Sequence, residues 1–160
     1  MIFTQQNKVA TVLEPAANRF NGNPVSSYVD TANYGHVTFL VALGACNTGT
    51  VKLQVLAATD AAGDGATAIP FRICKAETSP ADSMTDPAYT ADANGYTTNA
   101  ADNTLYAIEV EARELGQGNP FVAVQGTQVA AGAISASIVA IGSNARYMGS
   151  NSSEMPSMLS

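Results

Sequence analysis

The feature that most constrains this chain is an alternation of apolar and polar residues with period 2, repeated between turn signals along most of its length. In "HVTFLVALGA", Val37, Phe39 and Val41 share one face, while Leu40 and Ala42 make the other face apolar as well. A strand apolar on both sides belongs at the centre of a sandwich or beneath a covering neighbour. "GTVKLQVLAATD" alternates cleanly, with Val51, Leu53, Val55 and Ala57 inward and Lys52 and Gln54 outward. "NTLYAIEVEARE" sets Tyr106, Ile108, Val110 and Ala112 against Glu109 and Glu111, and "GAISASIVAIGSNARY" sets Ile134, Ala136, Ile138 and Ala140 against Ser135 and Ser137. "AIPFRICKAE", with Pro70 favouring a strand start or an edge, and "PFVAVQGTQ" add shorter strands.

Turn-rich segments at 59–68, 79–88 and 91–103 separate these runs, and Asn94-Gly95 suits a type I′ hairpin. The only helical candidate is Gln5 to Glu14, which Pro15 would terminate. Six or seven strands and no long amphipathic helix imply an all-β protein. The expected architecture is an antiparallel β-sandwich, jelly-roll-like or immunoglobulin-like, with extended N- and C-terminal arms. The expected organisation is an N-terminal arm at 1–24, the sandwich at 25–148 and a flexible, serine-rich tail at 149–160.

At 160 residues the chain suffices for one core without a metal or disulfide to hold it. Thirteen acidic against seven basic residues give a net charge of −6. The basic residues are scattered singly, which argues against a nucleic-acid partner. No apolar run approaches the ~20 residues that span a bilayer, and the first twenty residues lack the pattern of a signal peptide, so no membrane partner is expected. Cys46 and Cys74 match no zinc spacing and read as buried or half-buried free thiols, although spacing leaves a disulfide open.

Candidate chemistry is sparse. His36 is the only histidine and the only side chain that titrates near neutrality unperturbed. A hydrolytic triad would need a nucleophile and an orienting acid, and no GxSxG elbow occurs. A strand-entry histidine at the surface or an interface is the better reading. Asp60 and Asp64 flank glycines in "TDAAGDGA", but Ala62 occupies an alternate position where an EF-hand needs a ligand, so a turn is expected. Asp82, Asp86, Asp92 and Asp102 read as solvated loop acids, and Glu109, Glu111 and Glu114 as the outward side of a strand and its exit. Tyr89 and Tyr96 are the candidate stacking faces of a carbohydrate site, while Tyr106 faces inward by alternation. Neither a P-loop nor a GxGxxG fingerprint is present. No catalytic, cofactor-binding or metal-binding residue is assigned, and no enzyme activity is expected.

Four stretches together resemble a family of small structural proteins of tailed bacteriophages, over roughly residues 24 to 148. They are an early tyrosine-rich strand entry (Tyr28, Val29, Tyr34, Val37, Thr38) and Leu53-Gln54 followed by "AATDAAGDGATAI". The third carries Asn103, Tyr106, Ile108, Glu109, Val110, Ala112, Glu114 and Leu115, and the last is a closing strand ending in "ARY" at 145–147. Cys46 departs from the small polar residues expected at its place in the pattern. The resemblance implies a virion component made in the host bacterial cytoplasm. It points to a head decoration or cement protein on the capsid surface, with the major capsid protein and copies of itself, as a homotrimer, for partners. A tail, neck or spike component and a carbohydrate-binding sandwich are the alternatives.

Overall fold

The structure is a computed structural model that describes residues 2–46, 48–75, 82–84, 90–100, 103–146 and 155–159. Two antiparallel sheets pack face to face around one apolar core. The six-stranded sheet runs β1 (Lys8–Ala16), β11 (Ala136–Ala145), β3 (Tyr34–Leu43), β9 (Thr104–Glu111), β6 (Phe71–Lys75) and β7 (Thr90–Ala91). The other runs β2 (Val29–Asp30), β10 (Phe121–Ala130), β4 (Thr50–Ala58) and β5 (Thr67–Ile69), with β8 (Tyr96–Thr97) also paired to β4.

The alternation builds the core as expected. Val37, Phe39 and Val41 of β3 and Tyr106, Ile108 and Val110 of β9 are buried on the inner side of one sheet. Val51, Leu53, Val55 and Ala57 of β4 do the same from the other. Phe39 lies opposite Ala140 on one neighbour and Ile108 on the other, so it occupies the middle of the six-stranded sheet.

The N-terminal region differs from the expected arm. Lys8–Ala16 is an edge strand paired to β11, and only Phe3–Gln6 forms a helical turn. The helix expected over Gln5 to Glu14 gives way to a strand because Val9, Thr11 and Val12 are β-branched and β11 offers a long partner. Pro15 is tolerated there because the strand is at an edge, close to a register shift between Leu13 and Ala16. Residues 17–24 then turn, with Asn18 and Asn23 at positive φ, and bury Phe20 against Gly126 of β10. A side chain at Gly126 would overlap the Phe20 ring.

Pro70 splits the single strand expected in "AIPFRICKAE". β5 pairs in one sheet and β6 in the other, and the residue without an N–H marks the corner. The β7–β8 turn also passes from sheet to sheet, closing that side of the sandwich. Its turn is not type I′. Among Asp92–Gly95 only Gly95 has positive φ, and the Gly95 amide donates to the Asp92 carbonyl at 3.0 Å. On the opposite side residues 25–31 bridge the edges: the Ser27 amide donates to Val12 of β1, and the Ser26 amide to Val124 of β10. The outer edge of β1 thus accepts one backbone bond at Val12.

The tail ends on the core. Met155 and Met158 are buried, the Asp30 amide donates to the Met158 carbonyl at 2.9 Å, and the Tyr34 hydroxyl donates to the Pro156 carbonyl. The thioether of Met158 sits over Gly142 of β11, where any side chain would displace it. The tail expected to be flexible therefore has a seated end at 155–159, because Met155 and Met158 are buried in the core and Met158 fills the gap left by Gly142.

Candidate functional site: the outer face of the six-stranded sheet

Register across β11, β3, β9 and β6 arranges the outward side chains in rows. Ser143, His36 and Glu111 form one row, and Ile141, Thr38, Glu109 and Arg72 the next. Then follow Val139, Leu40, Ala107 and Cys74, and finally Ser137, Ala42 and Leu105. On the edge strand, Val9 pairs beside Ile141 and Thr11 beside Val139. The first two rows hold the charge of the face, and the last two hold none.

The charged end is a small ionic network. Arg72 donates to both carboxylate oxygens of Glu114, at 2.7 and 2.9 Å, and lies 3.5 Å from Glu111. Arg113 holds the other oxygen of Glu111. The hydrogen bond from Arg72, assisted by its charge, lowers the Glu114 carboxyl below its ordinary range.

His36 sits at the entry of β3, half-buried, as expected of a strand-entry histidine. Its Nδ1 lies 3.2 Å from Ser143 Oγ, a partner 107 residues away that no local spacing announces. A serine, a histidine and a glutamate thus share one row across three strands. They do not make a triad, because the Glu111 carboxylate is bound by Arg113 and Arg72 and is not oriented on the ring. A shallow depression of about 440 Å3 beside Ser143 is lined by Gln6, Asn7, Asn144 and Ala145.

The remaining candidates lie elsewhere. Asp60 Oδ1 accepts the Ala62 and Asp64 amides at 3.0 Å each, so this carboxylate shapes its own loop. Gly63 at positive φ lies under the Tyr28 ring, and burial together with the Asp60 charge pushes the Tyr28 hydroxyl's ionisation up. Asp92 accepts from the Asn94 amide at 2.8 Å within its turn, and Asp82 is exposed. Asp86, Asp102 and Tyr89 lie outside the described residues. Tyr106 is buried, tilted against Tyr96 with ring centroids 5.8 Å apart. Among the described residues its hydroxyl makes no well-formed hydrogen bond, and burial pushes its ionisation up to about 12. Tyr106 is therefore a core residue, unavailable as a sugar platform.

Both cysteines are buried free thiols. Cys46 accepts the Gly49 amide at 3.0 Å, and Cys74 lies at the end of the third row, where burial pushes its thiol's ionisation up.

The apolar rows are the part of this face that sequence reading touched only through Leu40 and Ala42. Leu40, Val139, Ile141 and Leu105 are each half-buried in the isolated chain, and Val9 is 45% exposed. Leu40, Val139 and Leu105, side by side on β3, β11 and β9, suit contact with another protein surface and offer little purchase for a polar small molecule. No family model, curated protein or solved structure matches the chain.

Proposed function

We propose that the chain is a structural component of a tailed-bacteriophage virion. It decorates the outside of the expanded head and packs the apolar rows of its six-stranded sheet against the major capsid protein. The observation that carries this reading is the charge-free outer field of Leu40, Val139, Ala42 and Leu105, beside which Ala107 and Cys74 are already buried. The sequence pattern running from Tyr28 to Tyr147 supports the same assignment. A homotrimer at threefold or quasi-threefold positions lets each copy contribute weakly while the assembly binds firmly. A protein that binds only the expanded lattice stabilises that lattice by mass action.

The test is co-sedimentation of the purified chain with expanded phage heads and, separately, with unexpanded procapsids. Saturable binding to expanded heads alone is the expected result, and the saturation ratio reports the symmetry positions filled. Leu40→Lys should weaken binding at least about tenfold while leaving the folded spectrum intact, since its side chain lies outward. Failure to bind either shell refutes the proposal and turns attention to the tail and to glycans.

A further inference from the structure

The seat of Met155–Leu159 is assembled from elements far apart in sequence. Lys8 opens β1, Asp30 ends β2, Tyr34 opens β3 and Gly142 lies within β11. β1, β3 and β11 are held in register by their own ladders, and β2 by its pairing to β10. The segment contributes three backbone carbonyls to this seat. Met158 accepts from the Asp30 amide, Pro156 from the Tyr34 hydroxyl, and Met155 from the Lys8 ammonium at 3.5 Å. Met155 and Met158 are its buried side chains, and Met158 fills the space above Gly142, where an added Cβ would also stand 2.8 Å from the Tyr34 ring. None of these contacts depends on which chain the segment belongs to.

We propose that this seat is an exchangeable peptide-binding groove, filled by the same segment of a second copy when copies are held close together. Residues 147–154 join Arg146 to Met155 and allow a reach of up to about 30 Å. Exchange conserves every contact, so its cost is confined to the joining residues and to bringing two chains together. In dilute solution the tethered segment wins, because a short tether gives an effective concentration in the millimolar range. Where copies are crowded, the balance shifts toward exchange. This inference stands apart from the proposed virion role and holds for any setting that concentrates the chain.

The experiment uses the full chain carrying Met158→Asp and a fluorescein-labelled synthetic peptide of residues 151–160. Saturable one-to-one binding to the variant is expected. Binding to the unaltered chain should be at least about tenfold weaker, because its groove is already occupied. The same peptide carrying Met158→Asp should not bind. A folded variant with no saturable binding overturns the proposal, as does equal binding to variant and unaltered chain. Should Met158→Asp fail to fold, Met158→Ser takes its place. A second measurement needs no variant: the unaltered chain is refolded at about 1 mM and at about 1 µM and sized by light scattering. Dimers at the higher concentration that excess peptide suppresses support exchange. Monomers at both concentrations, or dimers indifferent to the peptide, refute it.

Discussion

Phe20 and Gly126 offer a test in which the sign of one substitution depends on another. Phe20 is 1% exposed and lies over Gly126, where an added Cβ would overlap Cδ1 and Cε1 of the ring and stand 3.1 Å from Cγ. Gly126 is flanked by β4 through Leu53, and its amide donates to the Pro24 carbonyl at 3.1 Å, so its backbone has little freedom to move away. Gly126→Ala should therefore destabilise by about 1–3 kcal/mol through overpacking. Phe20→Ala, which empties the same space, should cost about 3–5 kcal/mol. With the ring removed, the three atoms nearest to the methyl that Gly126→Ala introduces are gone. Alanine is then favoured over glycine within a strand by about 0.5–1 kcal/mol. Gly126→Ala should thus turn from destabilising to stabilising in the Phe20→Ala background, a coupling of about 1.5–4 kcal/mol. Urea unfolding of the four proteins measures it, with Gly126→Ala alone lowering the midpoint by about 0.5–1.5 M at a typical slope. Additive effects would refute the contact, and with it the conclusion that the turn at 17–24 is anchored in the core by Phe20.

Three further outcomes are expected. Phe39→Ala should cost about 3–5 kcal/mol, whereas His36→Ala should leave the melting temperature within about 2 °C; the reverse order in a thermal melt would show the faces of β3 to be misassigned. Glu114 has its folded ionisation lowered by Arg72, so its contribution is fully present above the ordinary value of 4.5 and is lost as pH falls through the lowered one. Because the pair is about a third exposed, that contribution should stay below about 1 kcal/mol. Urea unfolding of Glu114→Gln should accordingly converge with the unaltered protein in acid, and a gap that widened below pH 4.5 would contradict this. Cys46 and Cys74, both buried, should resist a water-soluble disulfide reagent for as long as the fold is intact and react together on denaturation; rapid reaction of either in the native protein would place it on an open surface.

Much of the fold was legible in the sequence. The alternation in "HVTFLVALGA", "GTVKLQVLAATD" and "NTLYAIEVEARE" names the inward residues of β3, β4 and β9, because side chains of a strand point to its two faces in turn. The loop at Asp60 was equally readable, since its geometry is set by residues within five positions of one another. The ends of the chain were not. Whether Lys8–Ala16 is helix or strand depends on β11, more than a hundred residues later, and whether the tail is seated depends on a bare patch over Gly142. Residue type alone likewise leaves Pro70 as a strand start or an edge, while the tertiary structure makes it the corner between sheets.

The candidate site divides in the same way. Leu40 and Ala42 announced an apolar outer face on β3, and the outward positions of Glu109 and Glu111 followed from period 2 alone. Strand order and register then decided which residues share that face. They bring Ser143 to His36, commit Glu111 to Arg113 and Arg72, and extend the apolar field through Val139 and Leu105. Local pattern fixes which way a side chain points, because it follows from backbone pleating. Which side chains meet is decided by long-range pairing, whose partners lie far apart along the chain.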